Sequence, residues 1–120
     1  MDPGLVRSVG MSKTVGYTET RWLLASSHPP TALIAGGNLI LAGVLQALQE
    51  LRVVVGRDLA LVGCDDTELT RLYGPPISVI TRDLALMGET TAHLLLEMIA
   101  NRGGRSIVLP TQFVIRDSSA

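Results

Sequence analysis

The chain has 120 residues, 47% of them hydrophobic, and its 10 basic and 11 acidic residues leave a formal net charge of -1. This length suits one domain with a buried core and is short for two. The near-neutral charge, with no block of either sign, argues against a nucleic-acid-binding surface on this chain itself.

The single cysteine, Cys64, excludes an internal disulfide and has no Cys or His neighbour at metal-ligand spacing. We therefore predict no metal site and no cofactor. A lone cysteine fits a reducing compartment, and we expect the cytoplasm. The amino terminus lacks a basic segment followed by an apolar run, and no stretch approaches the roughly 20 apolar residues of a membrane span.

The first elements form a strand followed by a helix. Residues 5–9 form a short, partly apolar run that predicts an edge strand. Ser12 can cap a helix that reaches Ser26, with Trp22 in the core. His28, beside two prolines, is typical of a solvated loop rather than of a metal ligand.

Residues 31–35 form a continuous apolar run, which predicts a strand buried on both faces of a parallel sheet. Asn38 is a suitable N-cap for the helix that follows. The apolar face of that helix comprises Leu41, Val44, Leu45, Leu48 and Leu51. The Gly36-Gly37 turn has two interpretations: a tight strand-to-helix connection, which is favoured locally, or a close approach of a ligand to the backbone.

A second buried strand is predicted at residues 59–63, which makes a right-handed strand-helix-strand crossover. The repeated strand-then-helix pattern predicts an α/β domain with a parallel three-layer sheet. Ligands of such sheets collect at the carboxyl ends of the strands, where Asp65 and Asp66 follow the apolar run.

Residues 67–73 allow about two turns of helix before Pro75-Pro76 ends it, and residues 77–81 read as a strand. Asp83 is expected to cap a long helix ending near residues 101–104. Its apolar side comprises Leu84, Met87, Leu94, Leu95, Met98 and Ile99. Two short strands at 106–109 and 113–116, separated by Pro110, and a frayed polar tail at 117–120 complete the prediction.

Blocks of sequence, in order along the chain, resemble the carboxyl-terminal part of the lactose-repressor/galactose-repressor family of bacterial transcription regulators. These blocks are residues 30–35, 41–48, 61–66, 75–80, 86–88 and 109–118. The resemblance implies a partial periplasmic-binding-protein-like type I domain, built from two α/β subdomains with a small molecule between them.

By this resemblance, residues 1–76 and 106–120 belong to the carboxyl-terminal subdomain. Residues 77–105 supply a crossover strand and a helix of the amino-terminal subdomain. The family's helix-turn-helix, hinge and most of its first subdomain have no counterpart in this sequence, so we expect a fragment of a longer regulator.

The resemblance also implies the effector site. Asp65 matches the family's pocket carboxylate, which accepts hydrogen bonds from the effector. Met11 stands where an aromatic ring commonly stacks on the ligand, and Gly37 stands where an Asn is frequent, with Asn38 one position later. Arg82 replaces a frequent Gln; it either favours an anionic effector or pairs with Asp83 or Glu89 on a solvated face.

Other positions have expected structural or interface roles, by the same resemblance for Cys64, Ala42 and Tyr73 and by residue type for Asp66. Cys64 takes a position usually held by an aromatic residue and is expected to be a small buried hydrophobe. Asp66 is expected to cap the helix at 67–73. Ala42 and Tyr73 lie where the family forms its dimer interface, and we expect Tyr73 to be exposed there.

Four functions remain to be compared. An enzyme using Asp65 and Asp66 as an acid/base pair is disfavoured, because adjacent strand-end residues point apart and no His, Lys or Ser partner is placed by the sequence. An effector sensor of a homodimeric repressor is favoured, with DNA bound only through an amino-terminal helix-turn-helix. A transport receptor for sugars and a pure oligomerisation module are the alternatives.

Overall fold

The computed structural model describes residues 3–100 and 103–120. A short 3-10 helix, Pro3–Leu5, precedes four helices and four strands. The helices are α1 (Lys13–Leu24), α2 (Asn38–Glu50), α3 (Glu68–Leu72) and α4 (Leu84–Ile99). The strands are β1 (Ala32–Ala35), β2 (Ala60–Cys64), β3 (Ser78–Arg82) and β4 (Thr111–Val114).

The four strands form one open sheet in the order β1-β2-β3-β4. β1 pairs with β2 and β2 with β3 in parallel, whereas β4 returns antiparallel to β3 with Val79 opposite Val114. The predicted α/β class is confirmed, and the sheet is mostly parallel. The parallel strands β1, β2 and β3 end at the same edge, which therefore collects the segments that follow each of them.

The core lies between α2 and the first two strands. The inward face of α2 supplies Leu41, Val44, Leu45 and Leu48, which pack with Leu61 and Ile77. The predicted helical face is confirmed except at Leu51, which is 38% exposed just past the end of α2. The prediction that β1 is buried on both faces is wrong, because Ile34 is 68% exposed.

The amino-terminal region differs from its prediction in two places. Ser12 does cap α1, since its hydroxyl accepts a hydrogen bond from the amide of Val15. The predicted strand at 5–9 is wrong, because this segment continues from the 3-10 helix without pairing with any described strand. Trp22 is also not a core residue; it is 53% exposed, with the Arg7 guanidinium 4.3 Å from its ring centre.

Helix α4 is capped as predicted, with the Asp83 carboxylate accepting from the amide of Leu86. None of its 16 residues is buried. The predicted helix end falls partly on residues 101 and 102, which lie outside the described residues. The strand predicted at 106–109 is wrong, since residues 103–110 lie in no helix or strand.

The carboxyl-terminal tail is ordered into the sheet rather than frayed. Ser118 is fully buried, and its hydroxyl donates to the Leu61 carbonyl at 2.6 Å and accepts from the Ser78 amide at 2.7 Å. Ser118 also accepts at its carbonyl from the Leu61 amide at 2.9 Å. The tail thus bridges β2 and β3 near their amino-terminal ends. The frayed tail was predicted from residue polarity alone. A serine can nevertheless be buried where its hydroxyl forms hydrogen bonds with backbone groups.

Among the described helices, none is both long and apolar enough to cross a membrane.

Candidate functional site

The carboxyl edge of the sheet carries an ion pair between β2 and β3. Asp65 follows the last residue of β2 with a φ of 70°, a left-handed conformation that Asp adopts more readily than most residues. Its amide donates to the Ile80 carbonyl at 2.9 Å, which holds the turn against β3. The turn therefore directs the Asp65 carboxylate toward the end of β3.

Arg82, the last residue of β3, binds this carboxylate through two nitrogens. Its Nε donates to Oδ1 at 3.0 Å, and its Nη2 donates to Oδ1 and Oδ2, each at 2.8 Å. The predicted alternative, that Arg82 pairs with Asp83 or Glu89, is wrong: Asp83 caps α4, and Glu89 lies 3.9 Å from His93.

The ion pair still has capacity for a ligand. The side chains of Asp65 and Arg82 are 25% and 46% exposed. Oδ2 of Asp65 accepts one of the three hydrogen bonds, and a carboxylate oxygen has a second lone pair. The pair thus presents a hydrogen-bond acceptor and charged donors side by side at the sheet edge.

Asp66 points into a separate network. Its Oδ1 accepts from Arg116 at 2.8 Å, from the Thr70 hydroxyl at 3.1 Å and from Arg71 at 3.3 Å. Burial raises the pKa of the Asp66 carboxyl, but the hydrogen bonds from Arg116, Thr70 and Arg71 outweigh burial and hold this pKa below its ordinary value. Asp66 therefore holds the turn in place through its contacts with Arg116, Thr70 and Arg71, whereas Asp65 faces the carboxyl edge of the sheet.

The prediction that Asp66 caps the following helix is wrong by one residue. Thr67 is the N-cap of α3, and its amide donates to the Thr70 hydroxyl at 3.0 Å. Arg116 is the site-supporting residue that the sequence did not reveal, since it lies 50 positions from Asp66 and only the β3-β4 return brings the two together.

The other predicted contact residues lie around the end of β1. Met11 is 67% exposed, and its terminal methyl carbon is 2.9 Å from the point where a Cβ on Gly37 would stand. Gly37 is the N-cap of α2 and has no side chain to bind the first turn, so the prediction of Asn38 as N-cap is wrong by one residue. Asn38 is the exposed first residue of α2.

The structure therefore pairs Asp65 with Arg82 at the ends of β2 and β3, and it places Met11 beside Gly37, which follows the end of β1 at the same edge of the sheet. Cys64 is half-buried at the end of β2. Burial, followed by the neighbouring Asp65 charge, raises the pKa of its thiol, only partly offset by Arg82. Within residues 3–100 and 103–120, no three His, Cys, Asp or Glu side chains gather as metal ligands.

The two predicted interface residues lie elsewhere. Ala42 is half-buried on α2. Tyr73, expected to be exposed on a helix, instead follows α3 in extended conformation and packs partly buried against the core.

The fold is that of a periplasmic-binding-protein-like α/β domain. The chain belongs to the family of periplasmic binding protein-like domains, which matches residues 5–119.

Curated relatives are transcriptional repressors. The chain is 29% identical to the lactose operon repressor of Escherichia coli (strain K12) over 120 residues, which are 99% of this chain and 33% of that protein. It is 36% identical to the ribose operon repressor of Haemophilus influenzae over 98 residues, covering 80% of this chain and 30% of that one. The chain thus spans about a third of the length of these relatives.

Solved structures agree with this relationship. A LacI-family transcription repressor from Corynebacterium glutamicum superposes with a TM-score of 0.80 at 29% identity, covering 91% of this chain and 42% of that one. The Lac repressor bound to ONPG superposes with a TM-score of 0.73 at 30% identity, covering 90% of this chain and 33% of that one.

Proposed function

We propose that this chain is the effector-sensing and dimerisation part of a bacterial transcriptional repressor, drawn from the carboxyl-terminal portion of the effector-binding domain. The family membership and the repressors among its relatives support this function. In this proposal the protein acts in the cytoplasm and contacts DNA through a region outside these 120 residues, and its own residues perform no catalysis.

The Asp65–Arg82 ion pair is the observation that carries the proposal. It lies at the carboxyl edge of a parallel sheet, where α/β proteins bind small molecules, and it offers an acceptor next to charged donors. A hydroxyl of a sugar or a similar molecule can donate to Asp65 and accept from Arg82 at the same time. Met11 supplies an apolar contact in place of a stacking ring, with Gly37 beside it and Asn38 next along the chain.

The assignment of two subdomains is part of the same proposal. Residues 1–76 and 106–120 would form one wall of the pocket, and residues 77–105 would reach toward the other. The absence of any buried residue in α4 supports this division, because a helix rich in Leu and Met normally covers a second apolar surface. An effector would favour the closed arrangement by its differential affinity for that state.

The dimer contact is proposed at Ala42 and Tyr73. Ala42 is a small residue on α2, which would let a partner approach the helix closely. The partial exposure of Tyr73 leaves room for such a contact beside its packing in the core.

An NMR titration of the chain with D-ribose and with lactose, comparing Asp65→Asn with the unchanged chain, tests the proposal. We expect one sugar to shift the amide signals of residues 11, 37, 38, 65 and 82. Asp65→Asn should weaken this binding about tenfold or more, because a hydrogen bond to a charged group contributes about 1.5–3 kcal/mol. Asp117→Asn, which changes an exposed carboxylate after β4, is the matched control and should bind normally.

Two outcomes would contradict the effector site. Binding that Asp65→Asn leaves unchanged would remove Asp65 from the site, and a dimer that shows no shift with either sugar would favour a pure oligomerisation module.

A further inference from the structure

The positive charge of Arg82 is balanced by the carboxylate that it binds. Nε and Nη2 of Arg82 donate to both oxygens of Asp65 over distances of 2.8–3.0 Å. Two opposite charges in contact largely cancel each other's field at a third group. A negatively charged group of an effector would therefore meet a dipole at this edge of the sheet rather than a free cation.

The other arginines at this turn are balanced in the same way. Arg116 and Arg71 both donate to Oδ1 of Asp66, at 2.8 and 3.3 Å. Asp83, which follows Arg82 in the chain and caps α4, adds a third carboxylate. Three arginines and three aspartates thus give this part of the chain no formal excess of positive charge.

The hydrogen-bonding groups that remain on the pair match a hydroxyl. Nη1 of Arg82 carries two N–H groups, which have no acceptor within residues 3–100 and 103–120, and Oδ2 of Asp65 keeps a lone pair. A hydroxyl both donates and accepts, so it can bind both groups. A phosphate offers acceptors and negative charge, so it would bind Nη1 only beside a carboxylate that repels it.

We infer that Arg82 is a specificity-determining residue: paired with Asp65, it selects a neutral polyhydroxy effector over a phosphorylated one. The inference rests on the effector site proposed above, and it argues against the anionic effector that an unpaired arginine would favour. The planar guanidinium suits this task because it binds a carboxylate through two nitrogens and fixes its orientation. Groups elsewhere in the pocket act on every variant alike, so a comparison of variants isolates the pair.

An NMR titration of the full chain with inorganic phosphate, following the Nε–H signal of Arg82, tests the charge balance. Asp65→Asn leaves Arg82 without its carboxylate, and Asn tolerates the left-handed backbone at this position. This variant should bind phosphate at Arg82 about tenfold or more tightly than the unchanged chain, because a hydrogen bond to a charged group is strong. The unchanged chain should show no saturable shift of this signal.

Glu97→Gln is the matched control for the change in net charge. It also removes one carboxylate from an arginine held through two nitrogens, since Arg105 donates to Glu97 at 3.0 Å from both Nε and Nη2. The net charge changes by the same amount as in Asp65→Asn. Phosphate should leave the Arg82 signal of this control as it is in the unchanged chain.

A second titration compares D-ribose with D-ribose 5-phosphate, which differ by one phosphate group. The unchanged chain should bind ribose at least as tightly as the phosphate ester. Asp65→Asn should shift the ratio of the two dissociation constants toward the ester by about tenfold or more. Arg82→Gln, which leaves the Asp65 carboxylate unpaired, should shift the ratio toward ribose.

Three results would overturn the inference: saturable phosphate binding at Arg82 of the unchanged chain, no gain of phosphate binding in folded Asp65→Asn, or a preference of the unchanged chain for the phosphate ester. Failure of the proposed function looks different, because then neither ribose nor lactose binds. In that case the phosphate series alone decides whether the pair is balanced. Circular dichroism checks that each variant is folded.

Discussion

Two adjacent carboxylates at the end of β2 have separate tasks. Asp65 faces the open edge with Arg82, and Asp66 faces inward to Arg116. The left-handed backbone of Asp65 turns the two side chains apart. Arg116 also donates to the Ile77 carbonyl at 3.0 Å, so the inward pair fastens the turn to β3. The position of the exposed pair thus depends on the inner one.

The ion pair between Asp66 and Arg116 predicts a specific pH dependence of the stability of the chain. The pKa of Asp66 is lower in the folded chain than in the unfolded chain, so its contribution to stability is complete above the unfolded value of about 3.9. That contribution is lost as the pH falls through the folded value. Asp66→Asn should therefore be less stable at neutral pH and should lose less of its unfolding free energy on acidification than the unchanged chain.

Urea unfolding at a series of pH values from about 6 to about 3 measures this difference. Other carboxylates titrate in both proteins, so comparing the two curves isolates Asp66. Asp117→Asn serves as the control and should follow the unchanged chain. Parallel pH curves for Asp66→Asn and the unchanged chain would show that the network does not lower the pKa of Asp66.

At the scale of elements, two glycines set the distance between α1 and α2. A Cβ on Gly16 would stand 2.2 Å from the Ile40 carbonyl oxygen, and one on Gly43 would stand 2.0 Å from the Lys13 carbonyl oxygen. Both obstacles are backbone atoms, so neither can rotate away. The two helices therefore approach more closely than residues with a Cβ would allow at these two positions.

Gly43→Ala should force the helices apart and destabilise the chain by about 1–3 kcal/mol or more, as overpacking does. Gly88→Ala is the matched control: it also lies inside a helix, but a Cβ there meets nothing within 4 Å. It should stabilise the chain by about 0.5–1 kcal/mol through helix propensity. Denaturant unfolding distinguishes them, and equal effects would refute the close contact.

The whole molecule is extended for its length. Its radius of gyration is 17.1 Å and its dimensions are 54 × 28 × 24 Å, whereas a compact chain of this size has a radius of gyration of about 14 Å. Helix α4 contributes to this shape because none of its residues is buried, although Leu95, Leu96 and Ile99 are apolar. The stability of the chain therefore resides in α1, α2 and the sheet.

Paired leucine truncations check this division. Leu48→Ala removes a fully buried side chain of α2 and should cost about 2–5 kcal/mol. Leu95→Ala removes a side chain that is 56% exposed on α4 and should change stability by less than about 0.5 kcal/mol. The amides of α4 should also exchange hydrogen sooner than those of α2, because opening α4 exposes less buried apolar surface than opening α2. Equal costs for the two truncations would mean that α4 packs in solution.

Local signals in the sequence determined the elements of this protein. Ser12 and Asp83 start helices because their side chains bind nearby amides, and the spacing of Leu41, Val44 and Leu48 defined a buried helix face. The apolar run at 59–63 and the strand after Pro75-Pro76 also formed close to their predicted positions. The alternation of strands and helices also predicted that Asp65 lies at the carboxyl edge of the sheet.

Only the tertiary structure decided which distant groups meet. The segments at 5–9 and 106–109 have strand composition but pair with no strand among the described residues, because a strand needs a neighbour that no local signal supplies. Trp22 is exposed and Ser118 is buried for a related reason: burial depends on what packs above a residue, and a hydroxyl can satisfy buried backbone groups. The pairing of Asp65 with Arg82 and of Asp66 with Arg116 required β2, β3 and the return through β4 to be assembled, since both ion pairs join residues far apart in the chain.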